Sequence, residues 1–231
     1  DICAGGYMHG ILEEVFLHQP ELKETPESLC STIPETNRDS CFHGVGHGLM
    51  FVNQRNTSTS LATCRKISEK AMVPRCFEGV WMELFGGDTG HAGANSLGWT
   101  VDQPLEPCQT AANDEKPACF LYAHLGYLRT HHQDFPGVIT LCTKSGLNES
   151  DEKFCLRGVG ITMMKHSTSG RLDLTESLVK DLSDSEKYAY YQGVIRYARL
   201  SGVSEDSLDA FCHQLKKDDN ICRDLIRTDP K

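Results

Sequence analysis

The stretch CFHGVGHGLM, Cys41 to Met50, sets two histidines four residues apart among three glycines and opens on a cysteine. Its relatives along the chain decide the fold. Similar segments begin at Cys3 (CAGGYMHGILEEVF), Cys76 (CFEGVWMELFGG), Cys119 (CFLYAHLGYLRT) and Cys155 (CLRGVGITMMKH), and a sixth at Tyr190 (YYQGVIRYARLSG) keeps the pattern without the cysteine. Successive starts are 38, 35, 43, 36 and 35 residues apart. Gly6, Gly44, Gly79, Gly158 and Gly193 each fall three residues after their start, and Tyr122 alone departs from that register. Self-similarity at such a period marks a repeat array.

A second cysteine precedes most starts at a nearly constant distance. Cys30, Cys64, Cys108 and Cys142 lie 11, 12, 11 and 13 residues ahead of Cys41, Cys76, Cys119 and Cys155. The sixth copy lacks both members, since its start is Tyr190 and the segment TESLVKDLSDSE before it holds no cysteine. Residues that vanish together read as a bonded pair. Cys212 and Cys222 make a fifth pair, and Cys3 is left either free or with a partner upstream of residue 1. Eleven cysteines without a CxxC motif argue for disulfides in an oxidising compartment, extracellular or periplasmic. Each closed loop of this size contributes roughly 3 kcal/mol in the chain-entropy picture.

Between the starts, GILEEVFLHQ, TSTSLATCRKISEKAM, FPGVITLCTKSG and EDSLDAFCHQLKKD space apolar residues by three and four, the helical period. SDSE at Ser183 to Glu186 and SEDS at Ser204 to Ser207 supply N-terminal capping signals. The expected fold is therefore all-α: about six αα-hairpin repeats of roughly 35–40 residues, stacked as a disulfide-stapled solenoid. Residues 1–231 form one helical-repeat domain, and the long third interval inserts a loop at 86–107, GGDTGHAGANSLGWTVDQPLEP. In period, helix pairing and one cystine per hairpin, the chain resembles the Sel1-like and tetratricopeptide helical repeats, a resemblance of architecture.

Glycines three and seven after a start, Gly6 with Gly10 and Gly44 with Gly48, make a small-residue ridge that costs about 1 kcal/mol each in helix propensity. Tight packing of neighbouring first helices is favoured over a ligand touching the backbone, because later repeats keep the first glycine without histidines. The histidines do not follow the repeat rule. His9 and His47 share the position six after the start, where later copies have Met82, Leu125, Ile161 and Arg196. His43 and His47, at i and i+4, lie on one helix face at the spacing two imidazoles need to share a metal ion, and His9 with Glu13 repeats it. Neighbouring helices lie about 8–10 Å apart, so His9, His43 and His47 converge in a stacked array, with Glu78 and Glu83 as added carboxylates and His91 of the inserted loop as a fourth imidazole. Such a donor set suits zinc, copper or iron. The competing reading makes these partly buried histidines hydrogen-bonded to backbone or acidic neighbours, with His91 in solvent. His131 and His132 read as a solvated helix end.

Composition narrows the rest. With 23 Lys and Arg against 32 Asp and Glu, the formal charge is −9, and no basic stripe offers a surface for nucleic acid. No apolar run reaches the length of a membrane span, and a chain opening at Asp1 reads as a mature or trimmed product. NTS at Asn56 and NES at Asn148 are glycosylation acceptors in a eukaryotic secretory pathway. GxSxG, HExxH, P-loop, Rossmann and CxxCH signatures are missing, and paired cysteines make poor nucleophiles. Two function classes remain. One is a secreted or periplasmic binding protein with a His-rich transition-metal site, with or without catalysis. The other is a metal-free interaction or assembly module that takes a protein or peptide partner, or further copies of itself, including end-to-end linkage through Cys3.

Overall fold

Every described repeat start lies inside a long helix, and where that start is a cysteine its partner lies on the shorter helix before. The computed structural model describes residues 14–16, 18, 27–31, 33–86, 103–167 and 172–228, and among them there is no strand. In chain order the helices are α1 (Glu27–Cys30), α2 (Glu35–Val52), α3 (Thr57–Cys64), α4 (Val73–Gly86), α5 (Glu106–Thr110), α6 (Lys116–Leu128), α7 (Phe135–Lys144), α8 (Glu149–Ser167), α9 (Leu172–Val179), α10 (Asp184–Leu200), α11 (Glu205–Gln214) and α12 (Asp219–Thr228), with a 3-10 turn at Lys70–Met72. The all-α expectation holds. Backbone contacts divide the chain into two units, 1–130 and 131–231. In the first, α2 packs on α4 and α4 on α6; in the second, α8 packs on α10 and α10 on α12.

All five cysteine pairs expected from spacing are disulfides: Cys30–Cys41, Cys64–Cys76, Cys108–Cys119, Cys142–Cys155 and Cys212–Cys222. Their Cα atoms are 5.7, 5.7, 5.4, 5.6 and 5.5 Å apart, inside the range a cystine spans without backbone distortion. The sixth connection, α9 to α10, has Val179 and Tyr190 in their place, at the same separation in sequence as Cys30 and Cys41, and both are fully buried. That connection has its own polar fastening. Ser183 Oγ accepts from Glu186 N at 3.4 Å, and Glu186 Oε2 accepts from Ser183 N at 2.6 Å, completing the capping box. Ser204 caps α11 from one side, its Oγ accepting from Ser207 N at 3.2 Å.

The glycines set how closely the long helices cross. A Cβ on Gly46 would lie 2.2 Å from the Cys76 carbonyl oxygen, and one on Gly79 would lie 1.9 Å from that of His43. The second unit repeats the contact, with a Gly160 Cβ 2.0 Å from the Tyr190 oxygen and a Gly193 Cβ 1.9 Å from the Arg157 oxygen. In both units the glycine five after one start meets the glycine three after the next. Close helix packing is thus confirmed, and Gly48 of the expected ridge is closely approached by the Phe16 ring, where a Cβ would come within 2.2 Å of a ring carbon; the backbone contact on this helix uses Gly46, which that ridge left out. Between α4 and α6 the corresponding residues are Trp81 and Tyr122, both buried.

The expected loop at 86–107 is trimmed at both ends, because Gly86 closes α4 and Glu106 and Pro107 open α5. Residues 87–102, with His91, lie outside the described residues, as does His9. No described helix is long and apolar enough to cross a membrane.

Candidate metal centre

The glycine contact between α2 and α4 decides which side chains meet beside it. His47 follows Gly46 by one residue and Glu83 follows Gly79 by four, so backbone-to-backbone packing brings the two within hydrogen-bond reach. His47 Nδ1 lies 3.0 Å from Glu83 Oε2. On the other side of the ring, His47 Nε2 lies 3.2 Å from His43 Nε2, one helical turn earlier on α2. His43, His47 and Glu83 are 8%, 5% and 7% exposed, so this polar chain sits almost wholly out of water.

Arg55 anchors the far end. Its Nη1 is 3.3 Å from Glu83 Oε1, and its Nη2 donates to the Glu83 carbonyl oxygen at 3.0 Å. It reaches Glu83 through an unusual backbone: α2 ends in two consecutive left-handed residues, Gln54 at φ 51° and Arg55 at φ 61°, neither of them glycine. Each such residue costs about 1 kcal/mol or more. Arg55 N donates to the Met50 carbonyl oxygen at 2.6 Å, folding the chain back over the helix end.

A third helix contributes as well. Tyr122 of α6, the one break in the glycine register, brings its ring centroid 6.1 Å from that of His43. Glu78 is also buried, but it forms an ion pair with Arg75, whose Nε lies 3.3 Å from Asp39 Oδ2. Of the six expected ligands, the structure therefore gathers His43, His47 and Glu83 into one chain and gives Glu78 a cationic partner. Sequence reading missed Arg55, for which no pattern existed, and Tyr122, whose departure from the repeat was visible but had been given no role.

His131 and His132 are exposed in the turn after α6, as expected of a solvated helix end. His124 is fully enclosed in α6, and burial pushes its imidazole down to about 3, opposed in part by a hydrogen bond with the Leu121 backbone.

The separation of the pair fits two kinds of chemistry. Two nitrogens, each about 2.0–2.1 Å from a tetrahedral ion, lie about 3.3 Å from one another, close to the observed 3.2 Å separation of the Nε2 atoms. A linear two-coordinate ion would need them about 4 Å apart. The same 3.2 Å fits a hydrogen bond between the two rings. Among the described residues, no group of three or more His, Cys, Asp or Glu side chains is placed to hold a metal ion. Comparison with known protein families, with curated proteins and with solved structures finds no match.

Proposed function

We propose that this chain is a secreted or periplasmic helical-repeat binding protein, of Sel1-like architecture, whose first unit holds a transition-metal ion between His43 and His47. The observation that carries the reading is the approach of the two Nε2 atoms to 3.2 Å where both rings are almost wholly buried. Repeat geometry does not require it, since the second unit makes the same helix contact with Arg157 and Ile161 at the two positions. Five disulfides support the oxidising compartment. His9 and His91 are the candidates for further ligands, and zinc, copper and iron all accept imidazole.

The test is elemental analysis of protein purified without an immobilised-metal step, beside the His43→Ala, His47→Ala double variant. About one equivalent of metal in the wild type, absent from the variant, supports the site. A metal-free wild type that also takes up no added zinc or copper makes the histidines a packing network and leaves the scaffold as a module for protein or peptide partners.

A further inference from the structure

Resting on the metal reading above, the geometry points to Glu83 as a positioning residue that works from outside the coordination sphere: it fixes His47 as the tautomer whose Nε2 lone pair faces His43, and so shapes the pair for a tetrahedral divalent ion. Arg55 has only donors, and it places them on Glu83 Oε1 and on the Glu83 carbonyl oxygen. The carboxylate therefore accepts on both sides, and His47 Nδ1, 3.0 Å from Oε2, is the donor. A neutral ring with its proton on Nδ1 has its lone pair on Nε2. That lone pair meets His43 Nε2 at 3.2 Å, where His43 donates a hydrogen bond when no ion is bound. To present a lone pair of its own, His43 would release its Nε2 proton to solvent and take one up on Nδ1, remaining neutral, and both rings would turn so that their lone pairs meet off the line between them; the separation itself, 3.2 Å, is already close to the roughly 3.3 Å of tetrahedral coordination.

A carboxylate hydrogen-bonded to the far nitrogen of a ligating histidine holds the ring orientation and raises its basicity, and losing such a partner costs about 10–100-fold in metal affinity. The ligand role expected for Glu83 from its sequence position thus passes to whatever group completes the sphere. Arg55 offsets the charge of Glu83, so the two neutral imidazoles carry the coordination, a donor set that suits zinc(II) or cobalt(II).

The experiment is a cobalt(II) titration of the full chain, followed by visible absorption, on wild type and Glu83→Gln. Expected is an intense tetrahedral band in the wild type, with the same band shape in the variant and affinity lower by about 10–100-fold. A band that changes shape in the variant would make Glu83 a direct ligand and overturn the inference, as would unchanged affinity or a weak octahedral spectrum in the wild type. A wild type that binds no cobalt at all removes the metal reading itself, which is a different failure. Should Glu83→Gln not fold, nitrogen-15 imidazole spectra of metal-free wild type decide: His47 protonated on Nδ1 and bare on Nε2 is expected, and the opposite tautomer sinks the proposal.

Discussion

The crossing of α2 with α4 and the crossing of α8 with α10 are the same joint built twice. In each, a glycine five after one repeat start and a glycine three after the next let a backbone carbonyl come where a Cβ would stand, at 1.9–2.2 Å. Around that shared contact the side chains differ entirely. His43, His47 and Glu83 in the first unit correspond to Arg157, Ile161 and Tyr197 in the second. The glycines belong to the fold and the histidines do not, which separates the two halves of CFHGVGHGLM. A residue class present at both joints is required for packing; one present at a single joint needs another explanation.

The most damaging way to probe the comparison is to fill the contacts. Gly79→Ala and Gly193→Ala should each destabilise their unit by at least about 3 kcal/mol in denaturant unfolding, because the blocking atom is backbone and cannot rotate away. If one is tolerated and the other is not, the joints are not equivalent. Removing a staple makes them more alike: the Cys64→Ala, Cys76→Ala double variant leaves α4 entered without a cystine, as α10 already is, and should cost about 3 kcal/mol, read from its thermal melt.

Acid distinguishes the units by degrees, over a span of pH. His124 in the first unit is held neutral when folded, its pKa lowered from 6.5 to about 3 by burial. The unfolded chain takes up that proton first. Its contribution is therefore fully present above about pH 6.5 and is lost as pH falls towards 3, with a slope of about 1.4 kcal/mol per unit. His124→Leu should flatten that part of the stability profile. The last change grafts one joint onto the other: His43→Arg with His47→Ile takes the donor from Glu83 and should cost about 1–3 kcal/mol while abolishing metal uptake by elemental analysis. Retained metal would place the site elsewhere.

Disulfides were fully legible, because a local cystine leaves a fixed spacing and its loss removes two residues at once, as at Tyr190. Helix capping at Ser183 and Ser204 was equally plain, since the capping groups are adjacent in sequence. The crossing was only half legible. Glycine periodicity announced close approach, but which glycine meets which depends on the crossing angle and phase of two helices, and the backbone contact fell to Gly46 with Gly79 while Gly48 packs on Phe16. The site was legible where it depended on one helix, His43 with His47, and partly across two, through Glu83. Glu78 has the same residue type one and a half turns away, yet its neighbour Arg75 claims it. Arg55 arrives through a pair of left-handed residues at a helix end, a conformation that non-glycine residues do not advertise.

The buried pair Val179 and Tyr190 has one further consequence. A reductant would cut the covalent closure of every other described hairpin and leave α9 to α10 as it was, since burial and a capping box hold that joint without sulfur. Full reduction should therefore leave a single persistent island among hairpins that have lost their cystines, and amide exchange should find its slowest protons between 179 and 198.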